Sequence, residues 1–438
     1  MDSSTHFTRR VGARACYPRG MRSELEIALR LDFMLAQAAS MAKPLPSLTP
    51  DDAASERARL IACLARGEVP VPAFKAQRQR LASDAYRLLD DARRLSAECV
   101  IGGLYADRLD ELELDLAILE AWGDAKSIRP LCARRYGRGD ERVVASARSP
   151  SDTTRPNGDV SQALTLKAVA RELLRTLPRT TPSEATLPAV APKGAPSVAA
   201  IMQRAVLGVG LDAEVRVEPR LSSLAATGER TVFLADRAFS VREALRLTAH
   251  EVFGHLVTAA NARSQSLRLL QIGLKGSFAD QEGLALYLEE ELGFMCAERL
   301  RTLSARVVAT EMLHDGASFG DTARVMWREH GFSAEASVLI AERTYRGGGA
   351  ARDAGYLAGY LRVRSAIHAG QADVDELRRG RVSLASLPAL RELEQRGWVR
   401  PSLYRPSFSL SRRLILGGTS ADTSPPSDAA SLTMLELT

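Results

Sequence analysis

His250-Glu251-Val252-Phe253-Gly254-His255 sets two imidazoles around a carboxylate. A protein uses such groups to hold a catalytic zinc: neutral imidazole is a good Zn²⁺ ligand, and a neighbouring Glu can take a proton from the attacking water. The interval between the histidines is one residue longer than in H-E-x-x-H. In a regular α-helix, residues four apart lie about 40° from eclipsed, and residues five apart lie about 140° apart. The two rings therefore share a site only if the helix is locally overfilled. A π-bulge at Val252–Gly254 absorbs one extra residue, and Gly254, which has no Cβ, eases the distortion. Glu251 then projects towards the open coordination position as general base.

Upstream, Ser240-Val241-Arg242-Glu243 has the form of a capping box, so a helix begins at Ser240 and carries the motif on its third and fourth turns. Two β-like segments precede it, Glu214–Glu218 and Thr231–Ala235, with a turn around Thr227-Gly228. Downstream, a catalytic zinc needs a third protein ligand. The best candidate is Glu282 in Asp280-Gln281-Glu282-Gly283-Leu284-Ala285, at the start of an apolar-periodic helix after a Gly273–Gly276 loop. Glu289, Glu290 and Glu291 are alternatives, but a triple acidic run in mid-helix reads as a solvated face.

The rest of the chain sets limits. With 438 residues, 45% hydrophobic and 26% charged, the composition is that of a globular protein with a sizeable core. Residues 1–20 contain no apolar core of a signal peptide, and no stretch of about 18 apolar residues occurs, so a membrane role is not expected. Five scattered cysteines without a C-x-x-C pair argue for a reducing cytoplasm and against a cysteine-held metal. The net charge is +6, but only six of the 59 basic residues are lysine, and acidic residues are interspersed throughout. No basic block with interleaved aromatics marks a nucleic-acid surface. Residues 21–136 read as helices, with apolar periodicity over Glu24–Met41, Leu81–Glu98 and Asp107–Trp122. Proline-rich sequence then surrounds one helix at Gln162–Leu177. The domain reading is 1–144 helical, 145–195 linker, 196–410 metallopeptidase domain and 411–438 a disordered tail.

Beyond the hexapeptide, the chain carries Asn261, Gln265, Gly273-Leu274-Lys275-Gly276, Gln281-Glu282-Gly283-Leu284-Ala285, Gly316-Ala317-Ser318-Phe319, Glu342-Arg343-Thr344-Tyr345-Arg346-Gly347-Gly348 and Asp353-Ala354-Gly355-Tyr356-Leu357-Ala358-Gly359. In this order the segments resemble the bacterial "flavohaemoglobin expression-modulating QEGLA motif" family, whose eukaryotic relatives are the microtubule-associated tyrosine carboxypeptidases. The resemblance runs over roughly residues 195–365 and is fainter at Arg134-Arg135-Tyr136-Gly137. It departs from the pattern at Ala262, where Gly is usual, and at Arg352, where Lys is usual. The resemblance implies a zinc metallocarboxypeptidase in which His250, His255 and Glu282 bind zinc and Glu251 is the general base, in agreement with the reading of the residues themselves.

Removing a C-terminal residue also requires recognition of a free carboxylate, which arginine provides with paired hydrogen bonds. Arg343 and Arg346, beside a flexible Gly347–Gly349 stretch, are the candidates; alternatively Arg343 forms a structural salt bridge and only Arg346 faces the cleft. Tyr345, Tyr356 and Tyr360 can supply a donor to the oxyanion, although tyrosines at helical spacing also serve as core, and Tyr356 is the one chosen. Val215–Glu218 or Val232–Leu234 can form a cleft-edge strand that pairs with extended substrate. His314, His330 and His368 have no ligand spacing, and Trp122, Trp327 and Trp398 read as packing residues. The expectation is a mainly helical α+β protein with a gluzincin-like zinc metallopeptidase domain, a small β-sheet and a helical N-terminal region. Its substrate would be a peptide or protein C-terminus, with an aromatic last residue by resemblance. The rival readings are a non-catalytic regulatory protein that retains zinc, and a dipeptidyl-peptidase of the H-E-x-x-G-H type.

Overall fold

A computed structural model describes residues 19–42, 53–74, 84–139, 141–144, 163–179 and 185–417. The first twenty residues, apart from Arg19 and Gly20, and the 145–162 part of the expected linker lie outside the described residues. Among the described residues five helices come first: α1 (Arg19–Met41), α2 (Ala53–Ala65), α3 (Asp84–Ser96), α4 (Gly102–Glu120) and α5 (Ala125–Tyr136). The three expected N-terminal helices correspond to α1, α3 and α4. Strands β1 (Arg142–Val144) and β2 (Ala163–Thr165) then pair antiparallel. They lead into α6 (Leu166–Thr176), the helix expected within the linker, and β3 (Thr186–Pro188) and α7 (Val198–Val209) follow.

The small sheet is built from β4 (Glu214–Glu218), β5 (Ala225–Thr227) and β6 (Thr231–Ala235), in the order β4-β6-β5. β6 pairs parallel with β4 and antiparallel with β5. Alternation decides its faces: Val232 and Leu234 are buried, while Thr231, Phe233 and Ala235 are half-buried. β7 (Ala238–Ser240) pairs with β3 and feeds α8 (Val241–Thr248). The capping box is formed as expected: Ser240 Oγ accepts from the Glu243 amide at 3.1 Å, and Glu243 Oε2 accepts from the Ser240 amide at 3.1 Å.

α8 runs without interruption into a π-helical segment, Ala249–Leu256, and then into α9 (Val257–Ser264). Short α10 (Leu269–Ile272) precedes the glycine loop and α11 (Ser277–Glu291). The remaining elements are α12 (Ala297–His314), α13 (Phe319–Arg328), α14 (Ala334–Tyr345), α15 (Ala354–His368), α16 (Val374–Leu377), α17 (Leu387–Gln395) and α18 (Phe408–Leu416). α18 carries ordered helix into the segment expected as a tail, and residues 418–438 lie outside the described residues. The architecture is mainly helical α+β with small sheets.

One core runs through most of the chain. Leu31, Leu35, Leu89 and Leu109 of the N-terminal helices share it with Phe253, Leu284, Leu288 and Trp398. Asp32, fully buried in α1, ties the two regions together by accepting the backbone amides of Arg268 and Leu269 at 2.6 and 2.8 Å at the start of α10. A second core joins α6 to α12 and α15 through Leu173, Leu303, Val307 and Leu357. Both cores press on α11. At the α11–α15 crossing the backbones nearly touch: a Cβ on Gly283 would stand 2.3 Å from the Gly359 carbonyl, and one on Gly359 would stand 1.8 Å from the Ala279 carbonyl oxygen. These glycines set α11 at a fixed depth and rotation.

Candidate metal centre

The π-helical segment does what the sequence spacing demands. Its wider turns bring residues five apart onto one face, and His250 Nε2 and His255 Nε2 stand 3.2 Å apart with the rings edge to face. Gly254 faces α11 so closely that a Cβ there would meet the Ala285 Cβ at 2.8 Å. Contacts along the two helices run in opposite directions. Arg246 reaches Glu289, His250 reaches both Glu289 and Glu282, and His255 reaches Glu282. α11 therefore returns antiparallel to the motif helix, as expected.

Glu282 Oε2 lies 3.3 Å from His250 Nε2 and 3.6 Å from His255 Nε2. Among the described residues, His250, His255 and Glu282 are the one set of three ligand-type side chains that converge in this way. The side chains of the triangle act on one another's charge. Burial acts to lower the His250 pKa, but Glu282, Glu289 and Glu251 outweigh it and raise the value to about 9. Burial acts to raise the pKa of Glu282, yet the two histidines hold it well below the usual carboxylate range. His250 Nδ1 lies 2.8 Å from Glu289 Oε1 and donates to it, so in the neutral ring Nε2 keeps its lone pair facing the pocket.

Glu289 corrects the sequence reading. It is not part of a solvated face but is fully buried, with Arg246 and Arg299 beside it, while Glu290 pairs with Arg364 at 3.1 Å. The usable signal was its spacing: Glu289 lies seven residues, about two helical turns, after Glu282 on the same face.

Glu251 is buried, and its Oε2 accepts a 2.7 Å hydrogen bond from Thr227 Oγ1. Thr227 ends β5, so the strand beside the site is β5 rather than either segment expected for that place. β6 is paired on both sides, and β4 is at the far edge of the sheet. At three residues β5 is too short for alternation to reveal.

The arginines divide. Arg343 grips Asp353 through both Nε and Nη2, the latter at 3.2 Å, which is the salt-bridge role foreseen as its alternative. Asp353 also draws Arg306, whose Nε lies 3.6 Å away. Burial, reinforced by the charge of Arg343, pushes the Arg306 pKa down to about 9. Neither Arg346 nor Arg352 has a carboxylate at ion-pair distance among the described residues; Arg352 lies over the Phe278 ring at 5.6 Å. The glycine stretch after Arg346 is held in place rather than free. Gly347 O accepts from the Gly123 amide at 2.7 Å, and Gly348 O accepts from Arg129 Nε at 3.2 Å.

Tyr356 packs edge to face on Phe278, and Arg306 lies over its ring at 5.8 Å. Burial and the nearby Glu282 charge raise its pKa, which keeps the phenol in its hydrogen-donating form. The other two tyrosines are structural: Tyr345 donates to the Ala317 carbonyl at 2.7 Å, and Tyr360 is buried in the second core. Trp398 is a core residue, as read. Arg306 and Thr227 are additions to the sequence reading, since neither stands at a spacing that links it to the histidines, whereas Arg352 was marked there only as a departure from the family pattern.

Among the described residues, the fold brings two imidazoles and a carboxylate together at one place in a mainly helical protein, with a further carboxylate, Glu251, beside them. A family model described as "Microtubule-associated tyrosine carboxypeptidase" matches residues 66–415, and the chain belongs to that family. Membership carries carboxypeptidase-type activity on a peptide or protein. No curated protein gives a match. No helix among the described residues is long and apolar enough to cross a membrane.

Proposed function

We propose that the protein is a zinc-dependent carboxypeptidase that releases the C-terminal residue of a peptide or protein, and that its catalytic region is gluzincin-like. The ligand triangle carries this reading. Zinc bound at about 2.0–2.2 Å by N and O ligands in tetrahedral array sets those ligands about 3.3–3.6 Å apart. The observed separations of 3.2, 3.3 and 3.6 Å agree, so His250, His255 and Glu282 fit the ion. Bound there, zinc would supply Lewis-acid polarisation of the scissile carbonyl and acidify a water to near neutrality.

The chain's own residues supply the rest. Glu251, held by Thr227, takes the proton of the attacking water and delivers it to the departing amine. Tyr356 donates to the developing oxyanion. Arg346 and Arg352 carry the charge that a terminal carboxylate would neutralise, and Arg343 serves them by fixing Asp353. β5 offers an edge against which an extended substrate can pair. An aromatic last residue, tyrosine included, is the specificity we propose.

The test is bound metal and trimming of a C-terminal peptide library, for wild type and Glu251→Gln. The expected result is one zinc per chain in both proteins, with trimming about 10²–10⁴-fold slower in the variant. Zinc without trimming in either protein would favour a regulatory role, and release of N-terminal dipeptides would favour a dipeptidyl-peptidase.

A further inference from the structure

Glu289 is the one carboxylate at the centre for which the proposed reaction has no use. It is 0 % exposed, and three cationic or proton-donating groups converge on it. His250 Nδ1 stands at 2.8 Å, Arg299 at 3.1 and 3.2 Å, and Arg246 at 3.4 Å. Arg246 precedes His250 by one helical turn, so both reach the same carboxylate from one face. Taking these charges out of water is costly, and well-packed apolar side chains would brace two helices without that cost. The arrangement is therefore better explained by what it does to the group it contacts that also faces the ligand triangle, and that group is His250.

A neutral imidazole can carry its proton on either nitrogen. With no acceptor at Nδ1, the proton can sit on Nε2 and compete with a cation for the lone pair. An anionic acceptor at Nδ1 removes that competition, fixes the ring plane and makes Nε2 more basic. We propose that Glu289 is the positioning residue for His250, and that its charge sets the affinity of the centre for its metal ion. Arg246 and Arg299 draw on the same carboxylate, at the expense of some of the negative charge felt by His250. This inference rests on the reading of His250, His255 and Glu282 as a zinc site.

The experiment uses the full-length protein and zinc alone, with affinity measured by competition against a chromophoric chelator and the melting temperature recorded for each metal-free form. Glu289→Gln keeps the shape and an acceptor oxygen but loses the charge, and zinc affinity should fall about 10–100-fold. Arg299→Gln removes a competitor for the same carboxylate and should leave affinity unchanged or tighten it. A fall for Glu289→Gln with no fall for Arg299→Gln distinguishes a charge effect from loss of a brace. The inference is overturned if Glu289→Gln binds zinc as tightly as wild type, whether or not its metal-free form melts lower. It is equally overturned if Arg299→Gln weakens zinc, and this second variant decides the matter if Glu289→Gln does not fold. Wild type that binds no zinc would sink this inference and the proposed zinc site together, whereas a tight Glu289→Gln would sink this inference alone.

Discussion

Asp353 is surrounded by more positive charge than it can neutralise. It is 3 % exposed, with Arg343 bidentate on it and Arg306 at 3.6 Å. Burial acts to raise its pKa, but the two arginines reverse this and hold it below the ordinary value of 3.8. With the folded-state pKa below the unfolded one, ionisation stabilises the native state fully above about 3.8, and the contribution is lost as pH falls below that value. Asp353→Asn leaves the half-buried Arg343 and Arg306 without a counter-charge and should cost up to about 3–5 kcal/mol at neutral pH. The difference in melting temperature from wild type should narrow in acid; a difference that does not change with pH would show that the charge of Asp353 is not what stabilises the fold. The sequence marked Arg343 and Asp353 as motif residues, but their pairing depends on how α14 and α15 are each set against α12 and has no spacing signature.

At the scale of elements, the π-helical segment was legible because a fixed interval leaves few ways to bring two histidines together. The capping box was legible because its two hydrogen bonds join residues three apart. The α11–α15 crossing was not, since Gly283 and Gly359 have meaning only once two distant helices meet. That crossing makes a contrast within one helix. Gly359→Ala drives a methyl into the Ala279 carbonyl and should lower stability by about 1–3 kcal/mol or more. At Gly355, a turn earlier, a Cβ meets only ordinary contacts at 3.7 Å, so Gly355→Ala should be nearly neutral. Thermal melts of the two variants side by side check this, and equal melting temperatures would mean that α11 and α15 are not in close contact.

For the whole molecule, the three proposed ligand side chains come from two segments joined by the α10 and glycine-loop connection, so a metal ion held by all three would brace the shared core. An ion that binds only the folded chain stabilises it by about 4 kcal/mol at a thousandfold excess over its Kd. Chelation should therefore lower the melting temperature and added zinc should restore it, while Glu282→Ala should respond weakly to either. Full zinc affinity in Glu282→Ala would remove that residue from the centre. By itself the sequence determined which three side chains are the candidate ligands, the overfilled turn and the mainly helical α+β character, because helical spacing and capping are local and repeat at known intervals. Only the tertiary structure decided that Glu289 is buried behind His250, that β5 rather than β4 or β6 borders Glu251, and that Arg343 is committed to Asp353. Burial and charge pairing depend on which distant segments pack together, and the separation of residues along the chain does not record that.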